Sequence, residues 1–172
     1  RNYLSIGSFR FKNDRFFEDK IQDYDLILAV GTRLAYPEFL NGQIVLQVDI
    51  DPQELGRNYK NTVRVEGDAK KTLDSILISL KNHMPARETR RDDLIRIRNE
   101  RYNESTTVEP QQSYIEAIRD AIPDDGILVS GMTQIGYYSR NRYEVYKPRT
   151  YITSSYYGNL GYAYPTALGA KV

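Results

Sequence analysis

The chain has 172 residues, with 24 Lys and Arg against 23 Asp and Glu for a net charge of +1, and it contains no cysteine. Scattered basic residues at that balance argue against a nucleic-acid surface, and the lack of cysteine excludes a disulfide framework and a thiolate metal site. No apolar run reaches transmembrane length and no signal peptide opens the chain, so a cytoplasmic protein without a membrane partner is expected, long enough for one large or two small domains.

In chain order, Tyr3 to Gly7 reads as a strand or strand remnant and Phe9 to Lys20 as a short helix or loop. Leu26-Ile27-Leu28-Ala29-Val30 is a continuous apolar run ended by Gly31, the pattern of a strand buried on both faces of a parallel sheet. Gly31-Thr32-Arg33 falls at its carboxyl end, where open α/β sheets bind ligands. Ile44 to Asp49 is the next strand. Asp51-Pro52-Gln53-Glu54 is expected to open a short helix, with Asp51 as its cap, Pro52 in the first turn and Glu54 as the capping-box acid. Thr62 to Val65 is a third strand, and Asp68 caps a helix that carries Leu73, Ile76, Leu77 and Leu80 on one face. Strand–helix–strand–helix order predicts a doubly wound α/β layer over residues 1–80.

Between residues 81 and 110 the character changes. Pro85 ends the helix, and Arg87 to Glu104 is dense in both charges, with Asp92 placed to pair with Arg96 one helical turn on. Leu94, Ile95 and Ile97 supply a thin apolar strip, so this stretch reads as a solvated helical linker. Asn103-Glu104-Ser105 matches a glycosylation sequon, which means little without a secretory signal. His83 is the single histidine; no catalytic dyad can be assembled around it, and no cluster has metal-ligand spacing.

A second α/β unit occupies residues 111–172. Tyr114, Ile115, Ile118, Ala121 and Ile122 make a helical apolar face, and Asp124-Asp125-Gly126 turns the chain into the strand Ile127–Ser130. Gly131-Met132-Thr133-Gln134 hands over to a helix running to about Tyr143; its amino end is a natural diphosphate site, although on the residues alone Thr133 reads more readily as a plain N-cap. Thr150 to Thr153 is the next strand. Gly158-Asn159-Leu160-Gly161 follows, and Pro165 sits in the first turn of a helix carried on by Ala167, Leu168 and Ala170. By spacing alone this is an ordinary strand-to-helix turn with small residues, or a loop whose glycines let the backbone approach a ligand. The chain stops at Val172 inside that helix and starts at Arg1, and both ends read as cut from a longer protein.

The string Gly158-Asn159-Leu160-Gly161-Tyr162-Ala163-Tyr164-Pro165-Thr166-Ala167-Leu168-Gly169-Ala170 resembles the signature of thiamine diphosphate enzymes of the acetolactate synthase and benzoylformate decarboxylase group. The resemblance implies that the Gly158 carbonyl accepts from the cofactor's 4′-amino group and that the Leu160 N–H, next to Asn159, meets the pyrimidine. The Leu160 side chain would be the wedge that bends the cofactor. Gln134 falls where acetolactate synthases carry a glutamine beside the diphosphate, and Ile135 replaces the neighbouring family histidine. Asp25 to Gly31, Val48 to Asn58 and Gly67-Asp68-Ala69 resemble the middle domain of the same family. That domain holds FAD in acetolactate synthases, where a Gly-Ala-Arg segment matches Gly31-Thr32-Arg33, and ADP or nothing in other members. Arg33 would meet a phosphate or a ring, and Asp49 and Asp51 ribose hydroxyls; a strand-end turn and, for Asp51, a helix cap are the plain alternatives.

The expected architecture is thus α/β, with two doubly wound parallel-sheet units, both incomplete, joined by a helical linker. Residues 1–80 would be the later part of a middle domain and 111–172 the start of the diphosphate-binding domain. The implied parent decarboxylates a 2-oxo acid, with carboligation or protonation of the enamine, as a homodimer or homotetramer with the active site between subunits. Its Mg2+ ligands would lie beyond Val172 and its activating glutamate in a domain outside the chain, so no catalytic residue is assigned here and the chain alone is expected to be inactive. The rival reading is a non-catalytic nucleotide-binding α/β module using Gly31 to Asp51. Tyr137, Tyr138, Tyr156, Tyr157, Tyr162 and Tyr164 gather near the second site, where core or subunit-interface roles suit them.

Overall fold

A computed structural model describes residues 4–7, 15–35, 41–104, 107–154 and 157–171. Tyr3, Phe9, Ser105, Ser155 and Tyr156 lie outside the described residues. The elements are α1 (Arg15–Ile21), β1 (Leu26–Val30), β2 (Ile44–Asp49), β3 (Thr62–Glu66), α2 (Ala69–His83), α3 (Arg91–Glu104), α4 (Gln111–Ala121), β4 (Leu128–Ser130), α5 (Gln134–Arg142), β5 (Tyr151–Thr153) and α6 (Ala163–Lys171). Among the described residues, 15–88 form one compact unit and 4–7 with 89–171 form the other. Leu4 to Gly7 are not a strand; they are a turn and irregular chain.

The first unit is a three-stranded parallel sheet in the order β1-β2-β3. β2 has a hydrogen-bonded neighbour on each side, and its Val45 and Val48 are fully buried. β1 is not buried on both faces as its apolar run predicts: Leu26 and Leu28 stay 50% and 47% exposed while Ala29 is buried. The register pairs Leu26 with Ile44 and Leu28 with Leu46, and Leu46 with Val63, so the exposed Leu26, Leu28, Ile44 and Val63 share one face. An unbroken apolar run promises burial, but burial needs a layer over each face, and that face is open at the strands' amino ends.

Gln47, in the middle of β2, is only 2% exposed. Its Nε2 donates to the Thr32 carbonyl at 2.9 Å and the Glu54 carbonyl at 3.1 Å, and its Oε1 accepts from the Gly56 N–H at 2.8 Å. A buried amide is tolerated only with such partners, and here they tie the exit of β1 to the loop after β2. The same bonds explain why the helix expected from Asp51 does not form. The Glu54 carbonyl and the Gly56 N–H are both taken by Gln47, and Gly56 has a φ of +70°. Residues 52–56 are successive turns instead, with the Asp51 carboxylate accepting from the Gln53 N–H at 2.9 Å and Glu54 Oε1 pairing with Arg57 at 2.9 Å rather than reaching back to a cap. Asp68 does cap α2, accepting from the Lys71 N–H at 2.9 Å, and the helix stops two residues before Pro85. The apolar stripe of α2 is not packed: no residue of that helix is buried, and Leu77 is 52% exposed.

The second unit has a parallel β4–β5 pair, with Ser130 opposite Thr153. α4 buries Gln112 and Ile115, whereas Tyr114 of its expected apolar face points outward. Gln112 accepts from the Tyr138 hydroxyl at 2.8 Å and donates to the Tyr102 hydroxyl at 2.9 Å, which again gives a polar group a place in the interior. Arg119 closes the segment after α5 onto the end of α4. Its guanidinium lies 4.7 Å from the Tyr143 ring and 5.0 Å from the Tyr146 ring, and it donates to the Tyr143 hydroxyl at 2.6 Å and the Glu144 carbonyl at 3.0 Å. Burial pushes the Tyr143 phenol above its ordinary pKa against the pull of Arg119, so the hydroxyl stays neutral at physiological pH. α3 is packed rather than solvated all round: Ile97 is buried, Arg101 donates to the Ile6 carbonyl at 2.9 Å, and Arg142 lies 4.7 Å over the Tyr102 ring. Its Arg96 pairs with Asp93 and Glu100, each at 2.5 Å, in place of the expected Asp92.

Replacing Gln47 by Leu keeps the volume but removes the amide partner of the Thr32 carbonyl and the Gly56 N–H and leaves the Glu54 carbonyl only its 3.4 Å bond from the Arg57 N–H. We expect urea unfolding to show a loss of about 1–3 kcal/mol, with the turn at residues 52–56 losing hydrogen-exchange protection first.

Candidate functional site

β4 and β5 run parallel and side by side, so their carboxyl ends and the loops that leave them emerge together. The loop after β4 is Gly131-Met132-Thr133, and Thr133 caps α5, its hydroxyl accepting from the Gly136 N–H at 3.0 Å. Gly136 is where α5 meets the strand end. A Cβ there would lie 1.9 Å from the Gly131 carbonyl oxygen and 3.1 Å from Ser130 Oγ, so only glycine permits this approach. Ser139, one turn on, is buried and continues the seam, donating to the Gly136 carbonyl and exchanging a 2.8 Å hydrogen bond with the Tyr151 hydroxyl. The amino end of α5 is thereby held over the exit of β4.

The loop after β5 passes beside it. Gly158 and Gly161 have φ of +63° and +74°, which side-chain-bearing residues rarely adopt. A Cβ on Gly158 would come 3.8 Å from Met132 Sδ, and one on Gly131 would come 3.3 Å from the Ala163 methyl, so the two loops and the start of α6 are in van der Waals reach. Leu160, between the two glycines, is 83% exposed. Its side chain stands out of the fold, which removes core packing within this chain as the reason for a large apolar residue there. Gln134 is exposed, and its side-chain carbonyl accepts from Gln111 Nε2 at 3.0 Å. Of the tyrosines, Tyr137, Tyr157 and Tyr164 are well exposed, while Tyr138 is engaged with Gln112.

The remaining candidates lie in the other unit, at the carboxyl ends of β1 and β2. The Gly31 N–H donates to the Val48 carbonyl at 2.9 Å, which carries the ladder one step past β1 and sets Gly31 beside Asp49. The Thr32 hydroxyl accepts from the Leu34 N–H at 3.2 Å, and the Arg33 carbonyl accepts from Asn58 at 2.7 Å. The Asp49 carboxylate accepts from the Asp51 N–H at 3.0 Å. Thus Gly31, Thr32, Arg33, Asp49 and Asp51 edge one sheet end, with Gln47 and Asn58 holding their backbone. Asp51 is a turn-former there, not a helix cap. Among the described residues, no group of three or more His, Asp or Glu could hold a metal ion, and no helix is long and apolar enough to cross a membrane.

Gln47, Asn58 and Gly136 were not apparent as site-builders from the sequence. A lone glutamine inside Ile44–Val48 and a glycine five residues after Gly131 are the signals that mark them.

Two parallel-sheet units, one ending in a glycine-bounded loop beside a capped helix, define an α/β class of protein. Family models place the chain more narrowly. Residues 1–76 match the thiamine pyrophosphate enzyme central domain, and residues 131–172 match the C-terminal domain that binds thiamine pyrophosphate. The chain belongs to the thiamine pyrophosphate enzyme family. It is 31% identical over 161 residues to a probable 2-ketoarginine decarboxylase of Pseudomonas aeruginosa, a match that covers 90% of this chain and 29% of that protein. It is 27% identical over 168 residues to an acetolactate synthase of Mycobacterium bovis, and 28% identical over 166 residues to an acetolactate synthase large subunit of Corynebacterium glutamicum. Each of these matches covers 88% of this chain, and they cover 27% and 26% of those proteins. The chain therefore spans less than a third of the length of these curated relatives.

Gly136 and Gly169 both sit inside helices but should answer alanine in opposite senses. Gly136→Ala meets a backbone carbonyl and should cost about 1–3 kcal/mol. Gly169→Ala meets nothing within 4 Å and should stabilise by about 0.5–1 kcal/mol. Thermal unfolding of the two variants reads the difference.

Proposed function

We propose that the protein containing this chain decarboxylates a 2-oxo acid with thiamine diphosphate, and then either protonates the product or joins it to a second carbonyl compound. The single observation behind this is Leu160: a large apolar side chain left 83% exposed between two positive-φ glycines, beside the capped amino end of α5. The residues present fit the cofactor. Helix α5 offers its amino end and Thr133 and Gln134 to the diphosphate. Gly158 and Leu160 offer a backbone carbonyl and N–H to the pyrimidine, with Asn159 between them. Leu160 would press on the bound cofactor and keep it bent. When bound, thiamine diphosphate supplies the carbon nucleophile and the electron sink for loss of carbon dioxide. The chain's own share is to bind, orient and exclude water.

On this reading Mg2+ accompanies the diphosphate on ligands outside these residues. The active site lies between subunits of a cytoplasmic homodimer or homotetramer, and FAD or ADP is the candidate ligand of Gly31, Thr32, Arg33, Asp49 and Asp51. The name of one relative, a probable 2-ketoarginine decarboxylase, points to a 2-oxo acid substrate, and the acetolactate synthases among the relatives are named for a product that joins carbon units.

Two variants of the full-length protein test this. Leu160→Ala should lower turnover, and the rate of C2-proton exchange of bound thiamine diphosphate, more than it weakens cofactor binding, because the bent geometry matters in the transition state. Its stability should change by less than about 0.5 kcal/mol, as for an exposed position. Normal proton exchange in that variant would end the wedge assignment. Arg33→Ala should weaken FAD or ADP binding measured by calorimetry, and unchanged affinity would take Arg33 out of that site.

A further inference from the structure

We propose that Arg140 is a positioning residue that locks the loop after β4 to the loop after β5, and so sets the spacing between the two halves of the cofactor site. The inference rests on the thiamine diphosphate reading above and goes beyond it, because Arg140 belongs to neither the diphosphate turn nor the pyrimidine loop. It lies two turns into α5, among the basic residues of the helix's last turn, where a role toward the helix dipole would be the ordinary expectation.

The geometry points elsewhere. Arg140 Nη2 donates to Thr153 Oγ1 at 3.3 Å and approaches Met132 Sδ at 3.6 Å. Thr153 is the last residue of β5, and Met132 is the middle of the loop after β4. The guanidinium also lies 5.3 Å from the Tyr137 ring centroid. Met132 carries the link onward, because its sulfur sits 3.8 Å from where a Cβ of Gly158 would be. One half-buried cation thus meets the end of one strand and a thioether that stands beside Gly158 in the loop that leaves it. The direct pairing of β4 and β5 is only three residues long, from Leu128–Tyr151 to Ser130–Thr153. A ladder that short leaves the angle between the two outgoing loops loosely determined, and one nitrogen that meets both Thr153 and Met132 restricts that freedom. Both contacts come from Nη2, so the link depends on the reach of the arginine side chain and on its planar head lying by the Tyr137 ring; a lysine has the charge, but its stem is one bond shorter and it lacks that planar head.

The test uses the full-length protein and titrates thiamine diphosphate with Mg2+, followed by calorimetry, alongside thermal unfolding of the cofactor-free protein. Arg140→Ala and Arg140→Lys should each weaken binding about tenfold, as outer-shell contacts do. Met132→Ala should weaken it comparably, and the Arg140→Ala/Met132→Ala double variant should lose little more than either single one, since both act through one link. Arg140→Lys binding like wild type would mean that charge alone matters, and would overturn the proposal. So would additive losses in the double variant, or a lower melting temperature with unchanged affinity. If Arg140→Ala does not fold, Arg140→Lys and Met132→Ala decide by the same criteria. Failure of the wild-type protein to bind thiamine diphosphate at all would instead sink the cofactor reading, and the proposal with it.

Discussion

The second unit depends on one close approach, that of Gly136 in the first turn of α5 to the Gly131 carbonyl at the end of β4. Protein interiors are packed too tightly to absorb an extra methyl against a backbone oxygen, so this contact sets how near the helix can come to the strand. With the helix seated there, its amino end faces the same side as both strand exits, and Thr133 caps it in place. The rest of the candidate site is built on that seat. Met132 lies beside Gly158, Ala163 abuts Gly131, and Leu160 is carried out on a loop whose conformation only glycine at its two ends allows.

The first unit solves a similar problem with a side chain. Gln47 is buried in the central strand and spends its amide on three backbone groups from two loops. Leaving such a group unmet inside a protein is costly, so the amide dictates where the loops go rather than the reverse. It holds the Thr32 carbonyl and the 54–56 turn around the sheet end that carries Arg33, Asp49 and Asp51. In both units, then, the carboxyl end of the parallel strands is held from behind, by the Gln47 amide in one and by the close approach of Gly136 in the other.

Much of this was legible from local pattern. The strands at residues 26–30, 44–49 and 62–66 follow from short β-branched and aliphatic runs, and Asp68 and Thr133 announce their helices as side chains that can accept from a first-turn N–H. The glycine loop was legible through the resemblance of the whole 158–170 string, since by spacing alone Gly158 and Gly161 suit an ordinary strand-to-helix turn. What misled was local pattern judged without its surroundings. Asp51-Pro52-Gln53-Glu54 has every feature of a helix start, but the helix is forestalled by Gln47 reaching in from the neighbouring strand. The charge-rich stretch of α3 looks solvated until Ile97, Arg101 and Tyr102 find partners far along the chain.

By itself the sequence determined much of what short-range physics controls: the strands at residues 26–30, 44–49 and 62–66 and the helix caps at Asp68 and Thr133. It also pointed to the family, through the resemblance of the 158–170 string to the signature of thiamine diphosphate enzymes. Tertiary structure alone decided which apolar faces are covered, that Gln47 and Gly136 hold the two sheet ends, and that Arg140 meets Met132 and Thr153. Those outcomes turn on distances between residues far apart in the chain. A glutamine, a glycine and an arginine look alike in sequence whether they line solvent or bridge two loops, and only packing fixes which they do.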